Sequence, residues 1–469
     1  MPLHERCGVA ATACKEEIAS YILYRCLRAL QHRGQEASGI SVFKGKILSV
    51  KGIGLVDNVF DDEKLCSLAS NVGIGHDYYS IKISVPDNAQ PHVVSTPAGE
   101  IGVAHNGIIT NAEILKEKLK ARGHCYQKES EEESIAFILS DEYMKHRNII
   151  RAFKTLVKVL NGSYALTILW DSRVFALRDP LGLRPLCVGC GDGYTIAASE
   201  SVALDVNNAL LAREVEPGEL IELKPTGFES YRIGTSGKRA FCFFEYTYFA
   251  RADSIMNGRS VYEIRRRIGW RLAKEKPVEA DVVIPVPDSG RAHAFGYSRA
   301  SGIHYNEGLI KNRYIARTFI LPKQERREMN VREKLNPIRD IVEGRRVVLV
   351  DDSIVRGTTM RSIVQLLRNA GASEVHVRVG SPPIISPCFY GIDMTTKEQF
   401  VATGRTEEEI AEIIGADSVG YISIDGLVEA VQHEKRDLCL GCVTGVYPTP
   451  VETTKPHLQP CIWDFHERD

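Results

Sequence analysis

The run Val347-Val348-Leu349-Val350-Asp351-Asp352-Ser353-Ile354-Val355-Arg356-Gly357-Thr358-Thr359 concentrates groups that could do chemistry. Its apolar start predicts a buried strand, two carboxylates stand at the strand end, and a small-residue turn leads into a helix. Backbone N–H groups at such a helix start can cradle a phosphate together with Gly357 and the hydroxyls of Ser353, Thr358 and Thr359. The paired acids suit two ribose hydroxyls, or a Mg²⁺ shared with the ligand, because that ion takes oxygen ligands and keeps several waters. An isolated Asp-Asp pair is equally well read as a capped surface turn; the whole run is not.

Two further segments belong with it. Val286-Pro287-Asp288-Ser289-Gly290 ends another apolar strand and puts Ser289 within reach of a metal or a pyrophosphate. Between Lys311 and Leu335 lies a long basic stretch with Arg313, Arg317 and Arg332, whose cations could fold over a pyrophosphate and exclude water. Any one of these arginines alone is as well explained as a solvated loop cation.

Cysteine supplies the other reactive set. Twelve cysteines in 469 residues are too sparse for a disulfide scaffold, so their positions matter more than their number. Cys439-Leu440-Gly441-Cys442, Cys388 and Cys242 offer four thiolates without a nearby histidine, which suits an iron–sulfur cluster or structural zinc. The C-x-x-C spacing alone is weak: Cys187 and Cys190 share it and are assigned no role. Cys7 stands apart, just inside the N-terminus.

Elements that must position these groups follow from periodicity. The first 230 or so residues read as short β runs (39–43, 101–104, 164–170, 194–198) interrupted by helical patterns at 18–31, 112–122 and 134–146, a mixed α+β arrangement. A polar, Gly-rich stretch at 224–239 reads as an inter-domain linker. Beyond it, helix 261–274, strand 281–285, helix 291–301, strand 346–351, helix 359–370 and strand 374–379 alternate, as in an α/β doubly wound parallel sheet that binds ligands at its strand ends. From about residue 406 one helical pattern and a loop-rich tail remain.

Composition narrows the function classes. With 59 basic against 60 acidic residues, the net charge of −1 gives no reason to expect nucleic-acid or anionic-membrane partners. No apolar run approaches the roughly 18 residues of a membrane span, and the first residues carry no secretory apolar region, so a cytoplasmic protein is expected.

The segments 347–359, 286–290 and 311–335 resemble those of the type I phosphoribosyltransferases, which bind phosphoribosyl pyrophosphate (PRPP). Cys7-Gly8-Val9, the stretch from Arg28 through Gln31-His32-Arg33-Gly34 to Ile40, and Ala104-His105-Asn106-Gly107 resemble the class II glutamine amidotransferases, an N-terminal-nucleophile fold. In this order the two halves resemble the glutamine PRPP amidotransferase family from Cys7 to about Pro448. The resemblance implies an amidotransferase domain over 7–235 after a propeptide 1–6, a phosphoribosyltransferase domain over 240–448, and a tail over 449–469. It implies that PRPP, glutamine and water yield 5-phosphoribosylamine, glutamate and pyrophosphate, the first committed step of purine synthesis.

The same resemblance implies residue roles. Cys7, once its amine is freed, is the nucleophile, because an α-amine of pKa near 7.7–8.0 can take its proton. Asn106 and the N–H of Gly107 form the oxyanion hole. Ser289, Asp351 and Asp352 hold Mg²⁺; Asp351, Asp352, Ser353, Gly357, Thr358, Thr359, Arg313, Arg317 and Arg332 bind PRPP. Cys242, Cys388, Cys439 and Cys442 hold a structural [4Fe–4S] cluster in one branch of the family. Purine nucleotides as inhibitors and a homo-oligomer, a tetramer, are implied as well.

The pattern breaks at two points. Where the family reads G-H-x-R-Y-[ST], this chain reads Gly75-His76-Asp77-Tyr78-Tyr79-Ser80, so Tyr78 replaces the arginine that clamps the glutamine α-carboxylate. A phenol offers one hydrogen bond and no charge against a bidentate fork. Glu131 stands where an aspartate binds the α-amino group. The site then uses glutamine with another cation, such as Arg33 or Lys82, or uses a different amide donor, or it is a silent domain and the second half is an ammonia-dependent phosphoribosyltransferase. A non-enzymatic PRPP or iron–sulfur sensor is the reading from a different class.

Overall fold

A computed structural model of the chain describes residues 7–79, 89–234, 237–312, 334–392, 394 and 400–450. In the first half, strands buried on both faces build two antiparallel sheets. Strand β1 (Gly8–Cys14) lies inside a seven-stranded sheet between Tyr194–Ala198 and β2 (Val72–Tyr78). Strands β3 (Gly99–Ile109) and β4 (Gly162–Trp170) are neighbours in a six-stranded sheet. Val9, Ala11 and Ala13 of β1 share a core with Ala104 of β3 and Ala165 and Leu169 of β4, so the two sheets bury their inner faces against each other. The other side of β1, Ala10 and Cys14, packs with Leu23 and Leu27 of α1 (Ala19–Leu30). Ile135 and Leu139 of α2 (Glu131–His146) pack with Leu166 and Ile168 of β4 on the outer face of the second sheet. The layers therefore run helix, sheet, sheet, helix.

The second half is a parallel sheet of β5 (Val282–Pro285), β6 (Arg346–Asp351), β7 (Glu374–Val379) and β8 (Ser418–Tyr421), in that spatial order. Val283, Val348 and Val350 pack on one side with α3 (Val261–Glu275) and α4 (Arg291–Ser301). Val282, Ile284, Val347 and Leu349 pack on the other with α5 (Thr358–Asn369). Both faces are covered, which explains why β6 reads as an unbroken apolar run rather than an alternating one.

Three expectations need correction. Helix α2 begins at Glu131, not 134, because Ser130 and Glu133 form a reciprocal capping box that starts the helix early. The expected linker 224–239 contains a strand, Gly227–Arg232, hydrogen-bonded to Glu219–Lys224; none of its residues is buried and it carries no apolar alternation. The region after 406 holds β8 and the helices Glu407–Ile414, Ile424–Val431 and the short Gly441–Thr444, where one helical pattern was expected. A strand of 4 residues is too short to show a period.

Candidate functional site

Cys7 is buried at the head of β1 in a left-handed conformation, φ 75°. The register of β1 sets Gly8 opposite Asp77, so Cys7 leads into the edge where Asp77 and Tyr78 end β2. Asn106 and Gly107 lie on β3, opposite Ala165 and Tyr164 of β4. The Asn106 side chain is fully buried, and neither its nitrogen nor its oxygen has a hydrogen-bond partner within the described chain. A buried amide in that state is a strong donor kept for something else. Gly107 has φ 141°, and a Cβ there would stand 2.0 Å from the carbonyl oxygen of Ser163, so no other residue fits.

Behind Asn106 is a polar cluster that sequence reading missed. His105 Nδ1 lies 3.2 Å from Glu131 Oε2 and 3.7 Å from Glu132 Oε1, while His92 Nδ1 lies 3.3 Å from Glu132 Oε2. Gln90 donates to Glu132 at 2.8 Å and accepts the His105 N–H at 2.7 Å. Burial works against a charge on His105, but the hydrogen bonds and charges of Glu131 and Glu132 outweigh it and hold the imidazole up at about 9. Glu132, also buried, is held well below the usual carboxylate range by His105 and His92. His76 is the opposite case: burial pushes it down to about 3, so its neutral Nε2–H donates to the His105 carbonyl at 3.1 Å.

The residues singled out for glutamine sit as follows. Burial pushes the Asp77 carboxyl well up, and Ser38 Oγ donates to it at 2.8 Å, so Asp77 is a neutral acid. Arg33 is buried between two carboxylates, with Nε on Glu200 and Nη2 2.8 Å from Glu245 Oε2. Glu131 is partly exposed and also accepts the Ile109 N–H at 3.1 Å. Tyr78, half-buried, closes β2. Lys82 lies outside the described residues, as do the proposed cleavage segment 1–6 and Arg313, Arg317 and Arg332.

In the second half, Asp351 ends β6 and Asp352 follows it. The hydroxyls of Ser289 and Ser353 reach Asp352, the latter at 2.7 Å, which brings the two separated segments to one point. Burial and the adjacent Asp352 charge push the Asp351 carboxyl well up, and burial raises Asp352 too. Two desolvated carboxylates side by side favour a proton or a cation between them. Gly290 is required because a Cβ there would lie 2.5 Å from the Val350 carbonyl, at the strand end. Gly357, φ 75°, turns the chain into α5, whose first residues are Thr358 and Thr359. Arg265 of α3 is an additional cation facing Asp352; it is buried and donates to the carbonyls of Tyr246, Tyr248 and Ala250 at 2.8, 2.8 and 2.7 Å. Nothing in its helical surroundings marks it in the sequence.

Cys242, Cys388, Cys439 and Cys442 line one cavity, with Leu183, Arg184, Tyr390, Ile392 and Tyr447 as the remaining walls. Cys242 and Cys439 are register partners in a short parallel pairing that joins the start of the second half to its end. Burial pushes Cys439 up to about 12, and Cys242 and Cys442 well up, so as bare thiols they are neutral. Among the described residues no three His, Cys, Asp or Glu side chains converge closely enough to hold a single metal ion. Cys187 and Cys190 lie on one strand at a sheet position remote in sequence from this set.

Comparison with known proteins agrees with this two-centre geometry. A glutamine amidotransferase domain matches residues 76–206, and a phosphoribosyl transferase domain matches residues 252–379. An amidophosphoribosyltransferase of Methanothermobacter thermautotrophicus is 48% identical over 456 residues, 96% of each chain. The chain belongs to the amidophosphoribosyltransferase family. Its first half is a class II glutamine amidotransferase fold and its second a type I phosphoribosyltransferase fold. A structure described as the allosteric regulatory enzyme of purine biosynthesis superposes with TM-score 0.91 at 41% identity, covering 97% of this chain and 100% of that one. Glutamine PRPP amidotransferase from Bacillus subtilis, complexed with ADP and GMP, gives 0.89 at 43% identity, covering 96% and 100%. As a member of this amidophosphoribosyltransferase family the chain is an enzyme that moves the amide nitrogen of glutamine to PRPP, the first step of purine biosynthesis.

Proposed function

We propose that this transfer divides between two centres over 7–235 and 240–448, and that the unpartnered, buried amide of Asn106 beside Gly107 is the observation that carries the first. Cys7, freed of residues 1–6, attacks the glutamine amide, with its own α-amine taking the thiol proton. The carbonyl oxygen gains charge as the tetrahedral intermediate forms, and the Asn106 amide and the Gly107 N–H stabilise it. The α-amine returns the proton to the departing nitrogen, and water then releases glutamate from the thioester. Glu131 is the acid available to the glutamine α-amino group and the Tyr78 hydroxyl the donor available to its carboxylate.

At the second centre Ser353, Gly357, Thr358 and Thr359 cradle the 5-phosphate, while Asp351 and Asp352 face the ribose side. Bound Mg²⁺ would neutralise the pyrophosphate leaving group, and Ser289, Asp351 and Asp352 would hold it; the mutual repulsion of the two buried acids fits a cation there. Arg313, Arg317 and Arg332 are the cations assigned to the pyrophosphate. As the C–O bond to pyrophosphate breaks, ammonia attacks the electron-poor ribose carbon, and this chain contributes positioning and charge.

The four cysteines fit a [4Fe–4S] cluster, since four thiol residues and no histidine line one cavity. Such a group would tie 388 and 439–442 to Cys242 and has no part in the reaction. Among the described residues the eleven cysteines are not joined by disulfides, which suits the reducing cytoplasm. Purine nucleotides as inhibitors and a tetramer belong to the same reading.

Pyrophosphate release from PRPP and Mg²⁺ under anaerobic conditions, with glutamine or ammonium chloride as donor, tests it. Turnover with glutamine supports both centres working together. Turnover with ammonia alone refutes the role given to Cys7, unless N-terminal mass shows residues 1–6 still attached.

A further inference from the structure

The main-chain carbonyl of Tyr390 takes two side-chain donors from the other half of the molecule. Ser163 Oγ donates to it at 2.7 Å, and Arg184 Nη2 donates to it as well. Tyr390 and Arg184 both line the four-cysteine cavity, and Cys388 lies two residues upstream. Ser163 is fully buried on β4, where it is the register partner of Ile108, one residue past the oxyanion glycine. Its Oγ also accepts the Ile108 N–H at 3.3 Å, and its carbonyl oxygen fills the space that a Cβ on Gly107 would need. Gly391 completes the contact: a Cβ there would lie 2.3 Å from Arg184 Nη2 and 3.6 Å from the Gly107 carbonyl carbon. The other arm of Arg184 reaches Glu245 Oε1 at 3.3 Å, and Glu245 Oε2 is 2.8 Å from Arg33 Nη2. Arg33 packs beside Gly8, where a Cβ would be 3.5 Å from Arg33 Cβ. One carbonyl at the wall of the cysteine cavity is thus linked to the oxyanion strand and to the strand of the nucleophile.

We propose that Ser163 is a positioning residue for glutamine hydrolysis, holding the Gly107 N–H in line by fastening β3 and β4 to the Tyr390 carbonyl. The inference rests on the oxyanion role given to Gly107. Oxyanion donors act only when aimed at where charge develops, and a small tilt weakens them in the transition state more than in the bound substrate. Removing the hydroxyl takes from the buried Tyr390 carbonyl its 2.7 Å donor and from the Ile108 N–H its 3.3 Å side-chain bond, so the strand relaxes around Gly107. Arg184 Nη2 donates to the same carbonyl.

The test compares wild type, Ser163→Ala and Ser163→Cys as full anaerobic chains. Four quantities are read: glutamine hydrolysis as kcat and KM, ammonia-dependent pyrophosphate release, alkylation of Cys7 by iodoacetamide, and iron content. Ser163→Ala lowers the glutamine kcat about tenfold or more and leaves glutamine KM, ammonia-dependent turnover, Cys7 alkylation and iron unchanged. Ser163→Cys, which keeps a weak donor in nearly the same volume, falls between. Equal kcat in all three chains, even with a lower Tm for Ser163→Ala, shows that the hydroxyl only satisfies buried polar groups and overturns the proposal. Parallel loss of glutamine and ammonia turnover overturns it too, because the effect is then global. A wild-type chain that releases no glutamate refutes the oxyanion reading itself.

Discussion

His105 Nδ1 stands 3.2 Å from Glu131 Oε2, one residue before Asn106. With Glu132 close behind, the pair keeps an imidazolium in the wall of the first centre at neutral pH. Its positive charge stands on the strand that carries Asn106 and Gly107, the donors proposed for the oxyanion, and the His105 main-chain N–H donates to Gln90 Oε1 at 2.7 Å. The strand is therefore held from the His105 side by ions and from the Ser163 side by a hydroxyl.

Stability should depend on pH through this cluster. The folded-state His105 value, about 9, is above the ordinary 6.5, so its contribution is complete below about pH 6.5 and is lost as pH rises through about 9. The shift corresponds to about 3 kcal/mol. Glu132 acts in the opposite direction: its folded value is depressed, so its contribution is present above about pH 4.5 and disappears as pH falls through the folded value. Urea midpoints at pH 6.5 and 9.5 measure the first effect. Wild type loses more stability over that interval than His105→Gln; identical losses would remove the imidazolium from the account.

Tyr78→Arg should tighten glutamine. A guanidinium at the end of β2 adds a charged, bidentate bond to the α-carboxylate in place of one phenolic hydrogen bond, roughly 1.5–3 kcal/mol or ten- to a hundredfold in KM. Ammonia-dependent turnover stays as it is, since the change is confined to the first centre. Steady-state kinetics with each donor check this, and an unchanged glutamine KM would show that Tyr78 does not face the carboxylate.

Much of this architecture can be read in the residues before any coordinates. β6 and the start of α5 are visible because a buried strand, two acids and a glycine turn follow one another without interruption. Cys7, Asn106 and Gly107 are visible only through their company, because each alone is an ordinary buried residue. The His105–Glu131–Glu132–His92 cluster is not legible: its members come from three separate segments, and although Glu131 is marked by the family pattern, nothing local pairs it or Glu132 with a histidine. The same holds for Arg184–Glu245–Arg33–Glu200, whose charges pair across the two halves where no local period records them. Strand Gly227–Arg232 is hidden for another reason, having no buried residue and no strong apolar alternation.

Asp351→Asn should stop the second centre without touching the first. The amide keeps the shape but gives up the anion that repels Asp352, so the pair no longer attracts a cation or accepts from two ribose hydroxyls. Pyrophosphate release should fall about a hundredfold or more with glutamine and ammonia alike, while Cys7 alkylation is unaffected. Retained turnover with weaker PRPP binding would move Asp351 from the reacting side of the ligand to its periphery.

Cys442→Ser discriminates between the fates of the four-thiol cavity. Cys442 is buried in the apolar core of the second half, with its neighbours Leu440 and Val443. As a bare thiol it is costly to ionise there, so a metal group must repay the deprotonation of all four sulfurs, and losing one ligand lowers the return. Serine supplies a harder oxygen that suits iron–sulfur chemistry poorly. Iron and acid-labile sulfide in the purified chain should drop together, with a fall in Tm, since Cys242 and Cys439 would no longer be tied across their pairing. Zinc in place of iron in the wild-type chain would overturn the cluster. Absence of both, with Tm equal in the two chains, would leave the cavity as packing and make the four cysteines inert core residues like Cys26, whose thiol burial pushes up to about 12.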